Sequence, residues 1–534
     1  MEGNAQGIRS GEVMRRGIPV VDLFAGPGGL GEGFESFRDP ARPGNSIFRI
    51  AVSIEKDPQA HATLLLRSFF RQFHCSEVPQ EYYRYLSREP GMTKSNLLRL
   101  FPRQLRAAQE QAWNTTLGKE PHVFVIKRIR RMLGRRKKWV LVGGPPCQAY
   151  SLAGRSRMRS LPGFEKDERH TLYREYLRLI ADLEPPVFLM ENVGGILSSV
   201  HQGERIFPRI VRDMKHPGKA INGVGNGATY RVFPLGGEYA RNILTGEPDP
   251  DPVNFLVRAE DHGIPQNRHR VFLLGIRSDI DVEPGILPQS KPPCVQDVIG
   301  DMPEIRSGLS KESDSLDRWR SAVRKIRDYA WYRKGNKGPF REVVREIEAT
   351  LNRMQRQDLG LGEEYFPGAG KMPAIYADWY FDPRLKGFCN HSARQHMRSD
   401  LHRYLFASCF AAVNARSPQL RHFPPELLPV HKNRDAAMGG DNFADRFRVQ
   451  IGVRPASTIT SHISKDGHYF IHHDPAQCRS LTVREAARIQ TFPDNYCFEG
   501  TRTSQYHQVG NAVPPLLARG IAGLIRGIFQ RGMR

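Results

Sequence analysis

The chain has 534 residues, room for roughly three or four domain-sized units. Its 39% hydrophobic and 25% charged content suits a soluble globular protein with real cores, no apolar run nears the ~20 residues that span a bilayer, and Met1 to Val20 lacks the apolar region of a secretory signal. The excess of 79 Lys and Arg over 56 Asp and Glu, net +23, points to a polyanionic partner, while seven scattered cysteines without a C-x-x-C pair argue against a disulfide framework or zinc ribbon and for a reducing compartment.

Taken in order, Ile18 to Phe24 is a short apolar run followed by Ala25-Gly26-Pro27-Gly28-Gly29-Leu30-Gly31. That pattern is a strand, a glycine turn and a helix start, where the backbone can approach a ligand and offer free N–H groups. Phe48 to Ile54 is a second strand ending in Glu55, an acid placed to accept hydrogen bonds from ribose hydroxyls of a nucleoside-containing cofactor. A glycine-rich turn beside a surface glutamate is the plainer alternative. Cys75 to Lys138 is long, polar and basic, with a helical patch at Leu97 to Ala112, and has the look of an insertion. Its run Lys127 to Lys138 holds eight basic residues in twelve, either a phosphate-contacting surface or a solvated helix face.

Trp139-Val140-Leu141-Val142 reads as a buried strand. Gly143-Gly144-Pro145-Pro146 then stops it in a rigid turn with Cys147 at the tip. A thiol held stiffly at the carboxyl end of a strand suits a nucleophile, though an inert buried thiol looks the same from this segment alone. Arginines 155, 157 and 159 follow. A helix is expected over about Thr171 to Leu183, stopped by Pro185-Pro186. The strand Val187 to Met190 ends in Glu191-Asn192-Val193, which would share a crevice with Cys147. Glycine-rich loops are expected over about Gly218 to Gly237. Gln266-Asn267-Arg268-His269-Arg270 leads into the strand Val271 to Gly275, where alternation puts Gln266, Arg268 and Arg270 on one face.

From about 283 to 450 prolines, basic helices and aromatics mark a second, smaller domain. The basic stretch Arg318 to Lys337 carries Trp319, Tyr329, Trp331 and Tyr332, residues able to stack on bases. Cys389, His391, His396, His402 and Cys409 fit no four-ligand metal spacing. Arg454 to Thr460 is strand-like, Leu481 to Gln490 is a helix opened by a Thr482/Glu485 capping box, and Gln508 to Pro515 is a tight loop. The last helix has one apolar face, Leu517, Ile521, Leu524, Ile525 and Ile528, for docking on the first domain.

These segments in this order resemble the DNA (cytosine-5) methyltransferases. The carriers are Asp22 to Gly29, Gly144-Pro145-Pro146-Cys147-Gln148, Glu191-Asn192-Val193, Gln266 to Arg270, Arg454-Pro455 with Leu481 to Glu485, and Gly510 to Pro515. The resemblance spans about Ile18 to Arg277 and Ile451 to the carboxyl end. It implies an α/β, Rossmann-like methyltransferase sheet with a smaller target-recognition domain: catalytic 1–282 with a basic insertion at about 76–138, recognition 283–450, and 451–534 completing the catalytic domain. It implies methyl transfer from S-adenosylmethionine to C5 of a flipped cytosine in double-stranded DNA. In that scheme Cys147 bonds to C6, Glu191 acts at N3, and Arg270 meets the O2 side with support from Arg268. Phe24, Gly26, Pro27, Gly28, Glu55, Pro146 and Asn511-Ala512-Val513 hold the cofactor, and no metal is required. The loop from Ser151 to Arg169 corresponds to one that closes over the base.

Two departures stand out. Lys56 occupies the place of a tryptophan that often stacks on adenine, and the insertion hides the third strand with its acid. The compact form implies a prokaryotic restriction–modification or solitary enzyme, monomeric and cytoplasmic, whose partner endonuclease acts independently. A related methyltransferase acting on a tRNA cytosine and a catalytically idle DNA-binding module are the competing readings. The large recognition region argues against the first, and the intact Cys147, Glu191 and Arg270 set against the second.

Overall fold

The computed structural model describes residues 17–39, 41–74, 77–146, 168–201, 204–222, 227–238, 240–241, 248–249, 251–335, 338–368, 372–429 and 444–533. Cys75, Cys147, Gln148 and most of the arginine-bearing loop that follows lie outside the described residues.

The apolar runs become an eight-stranded sheet. Its members are β1 (Ile18–Leu23), β2 (Phe48–Glu55), β3 (Ala112–Asn114), β4 (Val140–Gly143), β5 (Val187–Val193), β6 (Tyr230–Pro234), β7 (Leu256–Arg258) and, past a two-residue strand β8 (Gln266–Asn267) outside it, β9 (His269–Arg277). The order is β6-β9-β5-β4-β1-β2-β3, with β7 also on β9. β3, β2, β1, β4 and β5 are mutually parallel, while β9 runs antiparallel to β5, β6 and β7. The central parallel strands β2, β1, β4 and β5 are largely buried on both faces, as their apolar runs require, while the edge strand β3 ends exposed at Asn114. Chain order reverses between β1 and β4, so their carboxyl ends open a crevice at a topological switch point.

Helix α1 (Gly29–Ser36) follows β1 and α2 (Pro58–Phe70) follows β2. Glu32 in the first turn of α1 accepts from Arg67 and Arg71 of α2. These guanidinium groups hold its buried carboxyl down to about 2. The expected helix Leu97 to Ala112 is two helices, Lys94–Leu100 and Pro102–Gln111, because Pro102 cannot donate into a continuous helix. They lead into β3, the third strand. Helix α3 (His122–Leu133) then runs back toward the start of β4. Arg135 to Lys138 therefore sit at the amino-end edge of the sheet, opposite the crevice, and Lys138 donates to the Phe529 carbonyl. Helix α4 (Glu168–Leu183) precedes β5. The glycine-rich region expected to be loop contains β6, an edge strand formed because Tyr230 to Pro234 pairs antiparallel with β9.

The middle region builds a helical bundle around α5 (Leu316–Arg324), α6 (Arg341–Arg356) and α7 (Arg398–Asn414). Its core includes Trp319, Trp331, Tyr332, Leu351 and Phe406, and it takes Ile471, Ala476 and Cys478 from beyond residue 450. Trp319, Trp331 and Tyr332, read from the sequence as either able to stack on bases or part of a solvated helix face, are core residues, with the Trp319 indole donating to the Ser307 hydroxyl at 3.0 Å. The amphipathic pattern of these helices leaves the basic residues outside and the rings within.

The carboxyl-terminal segment returns to the sheet. Of the strand-like Arg454 to Thr460 only β10 (Ala456–Ser457) pairs, in parallel with β8. Helix α8 (Val483–Ile489) has the expected Thr482/Glu485 capping box, and Glu485 also takes a buried bidentate pair from Arg479. Helices α9 (Arg502–Asn511) and α10 (Pro515–Gly532) follow. α10 packs its apolar face into the core containing Val20, Phe34 and Phe272. It approaches α1 so closely that a Cβ on Gly33 would lie 2.4 Å from the Pro515 carbonyl.

Candidate active site

Register brings the turns after β1 and β4 together. Leu23 pairs with Gly143, and Gly143 with Met190. The glycine turn, the Gly144-Pro145-Pro146 turn and Glu191 therefore line one crevice edge. Gly144 fits there because it lacks a side chain: a Cβ would stand 2.8 Å from Glu191 Oε2. Asn192 donates from Nδ2 to the Pro145 carbonyl at 3.2 Å and so holds the turn from below.

Across the crevice Arg270 Nε lies 3.1 Å from Glu191 Oε1, with both side chains nearly buried. Burial pushes the Arg270 guanidinium below its ordinary value and the Glu191 carboxylate pulls it back up; the group remains a cation. Arg268 is in a different position. Its chain break between β8 and β9 turns it inward, 1% exposed, to donate to the carbonyls of Ile459 at 2.7 Å and Ala512 at 2.8 Å, with Gly510 alongside. Arg268 thus fixes the Gly510–Ala512 loop, and it is a positioning residue rather than one that faces the crevice. Gln266 completes the joint, donating to the Ile489 carbonyl and accepting from the Ile459 amide.

On the other side, Phe24, Gly26 and Gly28 all take positive φ, at 56°, 58° and 98°. A Cβ built on Gly26 meets nothing within 4 Å, so the turn faces open space. Glu55, at the end of β2, accepts the Gly26 amide at 2.7 Å and the Asp57 amide at 2.8 Å. Tyr496 donates to the Pro27 carbonyl and ties the turn to the carboxyl-terminal segment. Ala512 and Val513 are buried beside it, while Asn511 is exposed within reach of His507. Asp22 lies fully buried beneath, and desolvation raises its carboxyl to about 7, with Arg71 opposing. The open glycine cradle, an acid at the end of the second strand and a lid from residues 511–513 suit a nucleoside-bearing cofactor such as S-adenosylmethionine.

The third-strand acid is absent from β3: Asn114 stands opposite Glu55, and its amide donates to the carbonyls of Glu55 and Lys56. Lys56 itself is exposed. Of the expected site residues, Phe24, Gly26, Pro27 and Gly28 form the turn after β1, Glu55 ends β2, Pro146 follows β4, Glu191 on β5 pairs with Arg270 on β9, and 511–513 lie at and just after the end of α9, while Cys147 lies outside the described residues directly after Pro146. Sequence reasoning missed Gly144 as a close-approach position, and Asn192, Gln266 and Tyr496 as struts. The first three sit inside the quoted motifs, but Tyr496 carries no local signal, since its partner is 469 residues away. The histidine and cysteine set of the middle region forms no cluster of metal-ligating groups among the described residues. His391 bonds Thr482 and the Pro303 carbonyl, and His402 bonds Tyr329 and the Ala322 carbonyl.

Comparison with known proteins agrees with this geometry. Residues 127–222 and 253–526 match the family described as C-5 cytosine-specific DNA methylase. The chain is 31% identical to the type II methyltransferase M.Bpa9945I of Bacillus paralicheniformis, over 96% of this chain and 99% of that one. It is 26% identical to M.DdeI of Desulfomicrobium norvegicum over 73% of each chain. It is also 26% identical to M.AgeI of Thalassovita gelatinovora, over 75% of this chain and 86% of that one.

Proposed function

The chain belongs to the C-5 cytosine-specific DNA methylase family, and on that premise we propose that Cys147 is the nucleophile with which it methylates C5 of a cytosine turned out of double-stranded DNA. C5 is a poor nucleophile. Addition of the Cys147 Sγ thiolate to C6 moves the C5–C6 π pair toward C5 and places charge on N3 and O2. Glu191, protonated, gives its proton to N3, and the Arg270 guanidinium faces O2. S-adenosylmethionine, when bound, supplies an electrophilic methyl group. Loss of the C5 proton to a base then lets Sγ leave as thiolate, restoring the C5–C6 double bond, and the N3 proton returns to Glu191. The prolines fix the approach of the thiol.

Phe24, Gly26, Pro27, Gly28 and Pro146 line the cofactor's place, Glu55 receives its ribose hydroxyls, and Asn511, Ala512 and Val513 close over it. Residues 1–282 and 451–534 form the catalytic domain, and 283–450 read base edges in the major groove. The relatives are named type II methyltransferases, and the enzyme acts either with a cognate restriction endonuclease that works independently or as a solitary methyltransferase. It works as a monomer in the cytoplasm, with the chromosome.

The observation that carries the reading is the Glu191–Arg270 pair, held beside Gly144 at the carboxyl edge next to the glycine turn. The test is transfer of a labelled methyl group from S-adenosylmethionine to duplex DNA and, separately, to tRNA. Label in DNA alone, abolished by Cys147→Ala, is expected; label in tRNA alone, or an active Cys147→Ala protein, overturns it.

A further inference from the structure

A cavity of about 390 Å³ opens where the middle region meets the carboxyl-terminal segment, away from the crevice. Its lining includes Arg394, Lys465 and Arg502 with the hydroxyl residues Ser392, Ser464 and Thr503, and no acidic residue. Each cation has donors to spare. Arg394 lies flat on Tyr506, 3.9 Å from the ring centroid, and spends one edge on the carbonyls of Ile463 and Lys465. Arg502 gives one bond to the Ala393 carbonyl at 3.0 Å. Lys465 is exposed and forms no ion pair among the described residues. The backbone bonds of Arg394 and Arg502 fix two guanidinium groups in place, so their remaining N–H groups are preorganised for a tetrahedral oxyanion.

The cavity is joined to the active site by two continuous elements. Helix α9 begins at the cavity with Arg502 and ends at Asn511, a length of about 15 Å at ~1.5 Å per residue. The stretch from Ile459 to Lys465 starts at the Arg268 anchor and ends at the cavity. We propose that this cavity binds one backbone phosphate of the DNA substrate, and so seats the recognition region against the catalytic domain. The inference rests on DNA being the substrate. It makes Arg394, Lys465 and Arg502 positioning residues, without sequence information of their own.

The test is fluorescence anisotropy of the full chain on a labelled random-sequence duplex over a salt series. One lost phosphate contact lowers the slope of log K against log salt by ~0.9. The Lys465→Ala/Arg502→Ala double variant is expected to show that fall, and Lys465→Arg/Arg502→Lys to keep the wild-type slope. Lys465→Ala alone, which removes an exposed group without disturbing packing, should move in the same direction. Lys137→Ala, at the opposite edge of the sheet, is the control and should leave the slope unchanged. An unchanged slope in Lys465→Ala and in the double variant overturns the proposal while leaving the methylation reading intact. A wild-type chain that binds no duplex overturns both.

Discussion

Gly144→Ala is the smallest change that should disable the site. The added Cβ stands 2.8 Å from Glu191 Oε2 and 3.9 Å from its Cδ. An ordinary contact begins near 3.4 Å, so the carboxylate must move by about 0.6 Å, and it can, because it is the far end of a side chain. The fold should lose less than ~1.5 kcal/mol. The cost falls instead on the 3.1 Å pairing of Glu191 with Arg270, the pair that the proposed mechanism sets against the cytosine ring. Displacements of ~1 Å in catalytic groups cost about 100-fold in rate. Single-turnover methyl transfer with saturating cofactor should therefore slow roughly 30- to 100-fold, with the thermal midpoint nearly unmoved and cofactor affinity unchanged. A rate within threefold of wild type, in a folded protein, would refute the placement of Glu191 at the reacting ring.

Three more outcomes follow from the same geometry. Arg268→Ala leaves the buried Ile459 carbonyl without its donor and the Ala512 carbonyl with only the Gln490 amide, so it should destabilise by ~1–3 kcal/mol and raise the KM for S-adenosylmethionine more than it lowers kcat, read by melting and steady-state kinetics. Burial lowers His391 from 6.5 to about 4 and His396 to about 3; both stay neutral in the folded chain while the unfolded chain takes up protons below pH 6.5, so stability present above that pH should fall by several kcal/mol between about pH 6.5 and 4, seen as a falling urea midpoint. Asp22 works in the opposite sense: its carboxyl is raised from 3.8 to about 7, so its contribution is lost as pH rises through that window, and Asp22→Asn should remove a fall of up to ~4 kcal/mol between about pH 4 and 7 from the apo-protein's stability profile.

The parts of the site that depend on strand ends were legible in the sequence. A buried apolar run followed by glycine or proline gave β1 with its turn, β4 with Pro145-Pro146, and β5, which runs on through Glu191 to Val193, and parallel pairing does the rest. Residues whose meaning depends on distant partners were not legible. Arg268 and Arg270 look equivalent in the alternating pattern, yet one clamps backbone 191 to 244 residues away while the other faces Glu191. β6 escaped notice because an edge strand of five residues among glycines has little periodicity of its own. The aromatic residues of α5 and its neighbours were read for chemistry when their spacing encoded a core. The basic run before β4 was read for charge, and only topology shows that Arg135 to Lys138 sit on the wrong edge of the sheet to meet DNA in the crevice.

The central claim is that Cys147 forms a covalent bond to the target base. A duplex in which 5-fluorocytosine replaces cytosine blocks loss of the C5 substituent after methyl transfer, so Sγ cannot leave. Incubated with S-adenosylmethionine, the protein should gain the mass of the methylated strand, with the adduct mapped by peptide analysis to Cys147 and absent from Cys147→Ala. A protein that methylates ordinary duplex DNA but forms no adduct, or forms it at another residue, would contradict the account.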